Sequence, residues 1–203
     1  MKGNKELLTV LNSLLADELT VTNQYMVHSE ICANWGYIKL QMAIRKQAMD
    51  EMHHAKWLIV RIIFFEGSPT VSKLNLIKIG KTVSEMINND YNNELEVVRD
   101  YNGAIKLARE VDDQGTVDLL TRILKMEEGH VDWAEIQRAQ IEQMSIENYR
   151  ITQTESLASN IVNSMNGICG EKKDEIINRQ MSHFFRADSQ LGMAVANRLR
   201  VNL

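Results

Sequence analysis

The length, composition and charge of the chain already exclude several classes of protein. With 203 residues it can bury a sizeable core, and its single proline, ten glycines and 44% hydrophobic residues favour long helices over an all-β fold. The net charge of −4, from 27 acidic and 23 basic residues, gives no general reason to bind nucleic acid or an anionic membrane, whereas an acidic surface suits cations.

The cysteines and the N-terminus indicate the compartment. Cys32 and Cys169 are too few for a disulfide framework and form no Cys-x-x-Cys motif, which favours a reducing cytoplasm. The first residues lead directly into an amphipathic pattern, without a cleavable apolar stretch. No apolar run is long enough for a transmembrane segment, and we therefore expect a cytoplasmic protein.

Apolar residues repeat at steps of three and four in four long segments, which predicts an all-α bundle. The predicted helices cover about residues 5–34, 39–65, 82–111 and 116–144. The first two form a hairpin, and the second ends before Gly67 and Pro69, a common order of stop residues. Segment 67–81 lacks apolar residues at helical spacing, and we predict that it is a long crossover between the second and third helices. Its fifteen residues reach roughly 50 Å at about 3.3 Å each, which exceeds the roughly 40 Å of a 27-residue helix.

Six candidate metal ligands repeat within this pattern. The chain contains Glu-x-x-His twice, and a lone glutamate precedes each copy by 33 residues, so that the two sets are offset by 76 residues: Glu18, Glu51 and His54, then Glu94, Glu127 and His130. Residues three apart share a helical face, so each motif directs a carboxylate and an imidazole to one point. Two such halves supply the ligands of a di-iron carboxylate bundle, with Glu51 and Glu127 bridging and Glu18 and Glu94 terminal. Manganese in the same ligands, with catalase-type chemistry, stays an alternative.

Further motifs extend the pattern. They are Tyr25, Trp35, residues 50–55 (Asp-Glu-Met-His-His-Ala), Glu66-Gly67 with Pro69, and residues 127–133 (Glu-Glu-Gly-His-Val-Asp-Trp). With them, residues 1 to about 157 resemble bacterioferritin, a ferritin-like bundle with one long crossover and a short fifth helix, here about 146–155. The resemblance implies a ferroxidase with two iron ions per subunit that oxidises Fe(II) with O2 or H2O2. It also implies a 24-subunit cage built from dimers, a ferric mineral, a ferredoxin-type reductant for iron release and haem b shared between two subunits.

The resemblance also assigns roles to individual residues. It makes Met52 the haem iron ligand, although one of 11 methionines could equally be a packing residue. Tyr25 follows Glu18 by seven residues and should lie near the metals, where the family uses it to donate an electron or a hydrogen bond. Its alternative role is that of a buried phenol bonded to a carboxylate. Trp35 and Trp133 are either redox residues or helix-end packing.

Two features depart from the family pattern. Lys46 stands where family members with an inner-surface iron have histidine, and a lysine ammonium does not ligate iron, although Asp50 remains. Residues 158–203 form a C-terminal extension with a predicted break at Gly167–Gly170 and a helix-like apolar pattern after it. The extension is expected to be helical and to pack on a neighbour. Its net positive charge over residues 176–200, from Arg179, Arg186, Arg198 and Arg200 against Asp188, leaves partner docking or membrane-surface binding open.

Three functions are compatible with these observations. Iron oxidation and storage is the first, and a haem-binding or electron-transfer dimer with little storage is the alternative, which only the extension favours. A DNA-protecting cage is disfavoured because the ligands lie within one bundle and the chain has no basic tail. The extension could plug a fourfold pore, occupy the cavity or block closure of the cage.

Overall fold

The computed structural model describes residues 2–166, 168–170 and 173–199, which form seven helices. These are α1 (Lys5–Asn34), α2 (Ile38–Phe64), α3 (Val83–Glu110), α4 (Gln114–Gln143), α5 (Ile146–Asn166), α6 (Lys173–Ala187) and α7 (Ser189–Leu199). The predicted all-α class, the four-helix bundle and the helical extension are confirmed. Gly167 and Arg200, part of the predicted break and of the cationic set, lie outside the described residues. None of the described helices is long and apolar enough to cross a lipid bilayer.

The crossover between α2 and α3 runs along α1, as its length predicted. Three backbone amides of the crossover donate hydrogen bonds to side chains of α1: Thr70 to Asn12 at 2.7 Å, Asn75 to Thr20 at 2.8 Å and Lys78 to Gln24 at 2.8 Å. The three acceptors are spread over twelve residues, about 18 Å of helix. The crossover thereby returns the chain to the end of the bundle where α3 begins, and α1 packs against both α2 and α3.

The fourth helix begins earlier than the predicted residue 116 because Asp113 caps it. Asp112 adopts a left-handed conformation with φ of 57° and turns the chain between α3 and α4. The Asp113 carboxylate then accepts a hydrogen bond from the Thr116 amide at 3.2 Å, so the helix starts at Gln114. Arg61 of α2 lies 2.5 Å from the same carboxylate and fixes this turn to the neighbouring hairpin.

Two apolar clusters fill the bundle on either side of its middle. One contains leucines 7, 11, 14 and 15 of α1, and the other contains Tyr25, Ile44 and Met86. The glutamates at positions 18, 51, 94 and 127 fall between these clusters along all four helices, and all four are buried. Buried carboxylates are costly without compensating partners, so this polar layer points to a ligand-binding centre.

The fifth helix is longer than predicted: it continues to Asn166 instead of ending near residue 155. Its second half buries Ala158, Val162 and Met165 against α6 and α7, in a third apolar cluster that also contains Met181 and Val195. Because these contacts stabilise the helical conformation beyond residue 155, α5 does not end there. The extension thus buries apolar side chains against itself. The proposed domain division at residues 157 and 158 falls inside α5 and stays a prediction.

Candidate metal centre

The structure brings all six predicted ligands together in the middle of the bundle. Their ligand atoms form two groups, and within each group all atoms lie within 4.8 Å of one another. One group contains Glu18 and His54, the other contains Glu94 and His130, and Glu51 and Glu127 belong to both. This is the arrangement expected for two neighbouring metal positions with two shared carboxylates. His53 and Glu128, which adjoin the candidate ligands in sequence, are exposed.

The two imidazoles face the carboxylates in matching ways. Nδ1 of His54 lies 2.8 Å from Glu127 Oε1, 2.9 Å from Glu51 Oε2 and 3.5 Å from Glu18 Oε2. Nδ1 of His130 lies 2.8 Å from Glu51 Oε1, 3.2 Å from Glu127 Oε2 and 3.9 Å from Glu94 Oε1. The four shortest distances all involve the shared carboxylates, so the 76-residue repeat of the sequence becomes a pseudo-twofold arrangement in space.

Several carboxylate oxygens at the centre lack a hydrogen bond of good geometry. Among the described residues, Glu51 Oε1, Glu94 Oε2 and Glu127 Oε1 are buried and have no such partner. Two of these oxygens lie close to an imidazole Nδ1, but each Nδ1 carries one proton and faces several acceptors. Buried acceptors without partners are rare in folded proteins, and a bound cation would satisfy them.

The electrostatics of the centre follow from crowding four carboxylates in a buried layer. Burial, together with the neighbouring glutamates, raises the pKa of Glu18 and of Glu94 well above the usual range. Burial also acts on Glu51, but the adjacent imidazoles of His130 and His54 lower its pKa to about 2. Burial opposes the charged form of both imidazoles, yet bonds to the carboxylates raise the pKa of His54 to about 12 and that of His130 to about 11. Without metal, protons on the imidazoles therefore offset part of the negative charge.

Comparison with known proteins agrees with this geometry. Residues 8–144 match the family model of the ferritin-like domain. A bacterial ferritin of Synechocystis sp. is 39% identical over 150 residues, which cover 73% of this chain and 96% of that protein. Bacterioferritins of Mycolicibacterium paratuberculosis and Brucella melitensis are 37% and 34% identical over 149 residues, covering 73% of this chain and 94% and 92% of those proteins. The chain belongs to the bacterioferritin family. The near-complete coverage of these shorter relatives is consistent with a C-terminal extension in this family member.

Two tyrosines, rather than one, contact the centre of this bacterioferritin-family chain. Tyr25 is buried and its hydroxyl donates a hydrogen bond to Glu94 Oε1, which agrees with its predicted location near the ligands. Tyr101, which the sequence analysis missed, is equally buried and donates to Glu18 Oε1. Burial and the adjacent carboxylates raise the pKa of both phenols well above the usual range, so both remain donors. Tyr101 follows Tyr25 by 76 residues, the same offset as the ligands, and this repeat could have identified it.

A second buried polar group joins α1, α3 and the crossover. His28 Nε2 accepts a hydrogen bond from the Gly80 amide at 3.3 Å, which places the ring proton on Nδ1, 2.9 and 3.0 Å from the Asp90 carboxylate oxygens. Gln24 donates to the same carboxylate at 2.8 Å. The spacing of these residues in the sequence did not predict this group. It fixes the end of the crossover on the helices that carry Glu18 and Glu94.

The remaining predicted residues lie outside the two ligand groups. Met52 is 47% exposed, on the face of α2 directed away from the centre. Lys46 lies 2.5 Å from Asp50 Oδ2, so the lysine at this position forms an ion pair with Asp50. The same oxygen is 3.8 Å from His130 Nε2. Trp35 is exposed, whereas Trp133 packs against the cluster that contains Tyr25.

Proposed function

We propose that this protein stores iron after oxidising Fe(II) to Fe(III) with O2 or H2O2 at the six-residue centre. The observation that carries the proposal is the pair of overlapping four-residue groups that share Glu51 and Glu127. Membership of the bacterioferritin family supports iron storage as the general function. In this proposal Glu51 and Glu127 bridge two iron ions, and each ion also binds one terminal glutamate and one histidine.

The donor set fits the proposed chemistry. Four carboxylates balance the charge of two Fe(II) ions, and oxygen and imidazole donors bind iron in both oxidation states. Two Fe(II) ions release two electrons, which with two protons reduce one H2O2 to two H2O, or one O2 to H2O2. The protein would hold the two ions at adjacent positions, so that both electrons reach a single oxidant. Tyr25 would act at this site by its hydrogen bond to Glu94.

The direct test adds two Fe(II) ions per subunit without oxygen, then introduces O2 and follows the near-ultraviolet absorbance, with size-exclusion mass measured on the same sample. We expect rapid oxidation that saturates at two iron ions per subunit, in a 24-subunit cage. A dimer with the same oxidation would indicate that the extension blocks cage assembly. Absence of oxidation would contradict the ferroxidase proposal and favour haem binding or manganese in the same ligands.

An exposed apolar stripe on α2 supports haem as a second ligand. Met52 lies on one helical face with the other exposed apolar residues Met42, Met49, Val60 and Ile63. Such a stripe is typical of an interface, and a thioether within it could ligate haem iron. We propose that two subunits meet here and share one haem b between their Met52 side chains. The ferredoxin-type reductant and the cytoplasmic location stay predictions.

Replacing Met52 with leucine should remove the haem Soret band while leaving the rate of ferrous oxidation unchanged. Leucine keeps the apolar volume but lacks the sulfur ligand, and the side chain points away from the centre. Met42→Leu, at a similarly exposed position of the same stripe, serves as the control and should retain haem. A Soret band of unchanged intensity in haem-reconstituted Met52→Leu would rule out the axial-ligand assignment.

A further inference from the structure

The terminal ligand Glu18 is held by a phenol from the opposite half of the bundle. Glu18 lies on α1, and Tyr101 on α3 donates a hydrogen bond to its Oε1. The other carboxylate oxygen, Oε2, faces the centre 3.5 Å from His54 Nδ1. The two oxygens of one carboxylate are thus divided between the phenol and the candidate metal position.

The surroundings of Glu18 leave Tyr101 without a substitute. Leu14 and Leu15, which precede Glu18 on α1, belong to the apolar cluster that also includes Tyr101. Within the described residues, the side-chain donors that contact Glu18 are those of Tyr101 and His54. Tyr101 therefore supplies the hydrogen bond to Oε1, whereas His54 faces Oε2.

The arrangement is reciprocal, which argues against an incidental contact. Tyr25 of α1 donates to Glu94 of α3 in the same way that Tyr101 of α3 donates to Glu18 of α1. Each tyrosine follows the glutamate of its own helix by seven residues and bonds the glutamate of the other helix. Each half of the centre therefore has a terminal glutamate oriented by a phenol from the opposite half.

We propose that Tyr101 is the positioning residue of the His54 half of the centre, holding Glu18 in the orientation that binds metal. This inference rests on the proposed di-metal function and deepens it. Groups that orient metal ligands through hydrogen bonds typically contribute about 10- to 100-fold to metal affinity. Loss of the Tyr101 hydroxyl should accordingly weaken one of the two metal positions and spare the other.

Cobalt(II) is a suitable probe because its binding is visible by absorption and requires no oxidation. The metal-free wild-type protein should bind two Co(II) ions per subunit. In Tyr101→Phe, which retains the aromatic ring, one of the two should bind about 10- to 100-fold more weakly. Tyr149→Phe is the matched control: Tyr149 is fully buried and donates at 2.8 Å to Gln137, which belongs to neither ligand group, so both affinities should stay unchanged.

Two further variants, each with one half of the centre disabled, show which half Tyr101→Phe weakens. Glu94→Gln disables the His130 half, and adding Tyr101→Phe should then weaken the remaining Co(II) ion. Glu18→Gln disables the His54 half, and adding Tyr101→Phe should leave the remaining ion unaffected. Equal weakening in both backgrounds, or unchanged affinity in Tyr101→Phe alone, would overturn the positioning role while the di-metal proposal stands. Failure of the wild-type protein to bind two ions would instead overturn the di-metal proposal and this inference with it.

Discussion

Replacing Glu127 with glutamine is expected to slow ferrous oxidation by about 100-fold or more. Glu127 is fully buried and belongs to both ligand groups, so its loss affects both proposed metal positions at once. Glutamine preserves the volume but removes one oxygen ligand and one negative charge, which leaves the positive charge of two Fe(II) ions less balanced. The measurement is the initial rate of near-ultraviolet absorbance change after oxygen is added to protein preloaded with Fe(II).

The adjacent residue supplies the control for this substitution. Glu128 is exposed and lies about 100° around α4 from Glu127, so Glu128→Gln makes the same chemical change away from the centre. Its oxidation rate should equal that of the wild-type protein, and both variants should show the wild-type size-exclusion mass. If Glu127→Gln oxidised Fe(II) as fast as Glu128→Gln, the assignment of the centre would be wrong.

The second large effect concerns pH. Loading both metal positions should become at least about 100-fold less favourable for each unit by which the pH falls near neutrality, at least about tenfold per metal ion. The pKa of His54 is raised to about 12 and that of His130 to about 11, so both rings are protonated in the metal-free protein at pH 7. A metal ion binds a deprotonated ring nitrogen, so each ion displaces at least one proton. Binding is therefore favoured as pH rises and is lost as pH falls.

Proton release gives an independent measurement of the same linkage. Adding two Co(II) ions per subunit in weakly buffered solution at pH 7 should release at least two protons, and titrations at three pH values should give the stated slope. The pKa values of Glu18 and Glu94 are raised mainly by burial. Any proton that either carboxyl group carries in the metal-free protein is also released when the metal ions bind. His53→Gln, which removes an exposed imidazole beside the centre, is the control and should release the same number. Binding without proton release would contradict the protonated state of the metal-free centre.

Local periodicity explains why so much of the bundle was predictable. The first helix was expected over about 5–34 and spans Lys5–Asn34, because its apolar residues recur at helical steps over the whole segment. The clustering of the six candidate ligands was predictable for the same reason: the three-residue spacing in Glu-x-x-His defines a shared face, and the 76-residue repeat pairs the two halves. The crossover was predicted from its lack of a stripe and from its length alone.

Contacts between helices were harder to predict from the sequence, because periodicity defines the buried face of a helix but not the residues that pack against it. The hydrogen bond from Tyr101 to Glu18 depends on the axial register of α3 against α1, which the spacing within one helix does not define, although the 76-residue repeat pairs Tyr101 with Tyr25.

The sequence by itself determined the four helices of the bundle, the crossover and the identity of the six clustered residues, because these follow from spacing along single helices. Only the tertiary structure decided the length of α5 and the packing of the extension. Residues 158–166 remain helical because α6 and α7 cover their apolar face, an interaction between segments far apart in the chain. The tertiary structure also decided which carboxylate oxygens face the imidazoles and which accept hydrogen bonds from the two phenols, because these contacts involve residues of all four helices.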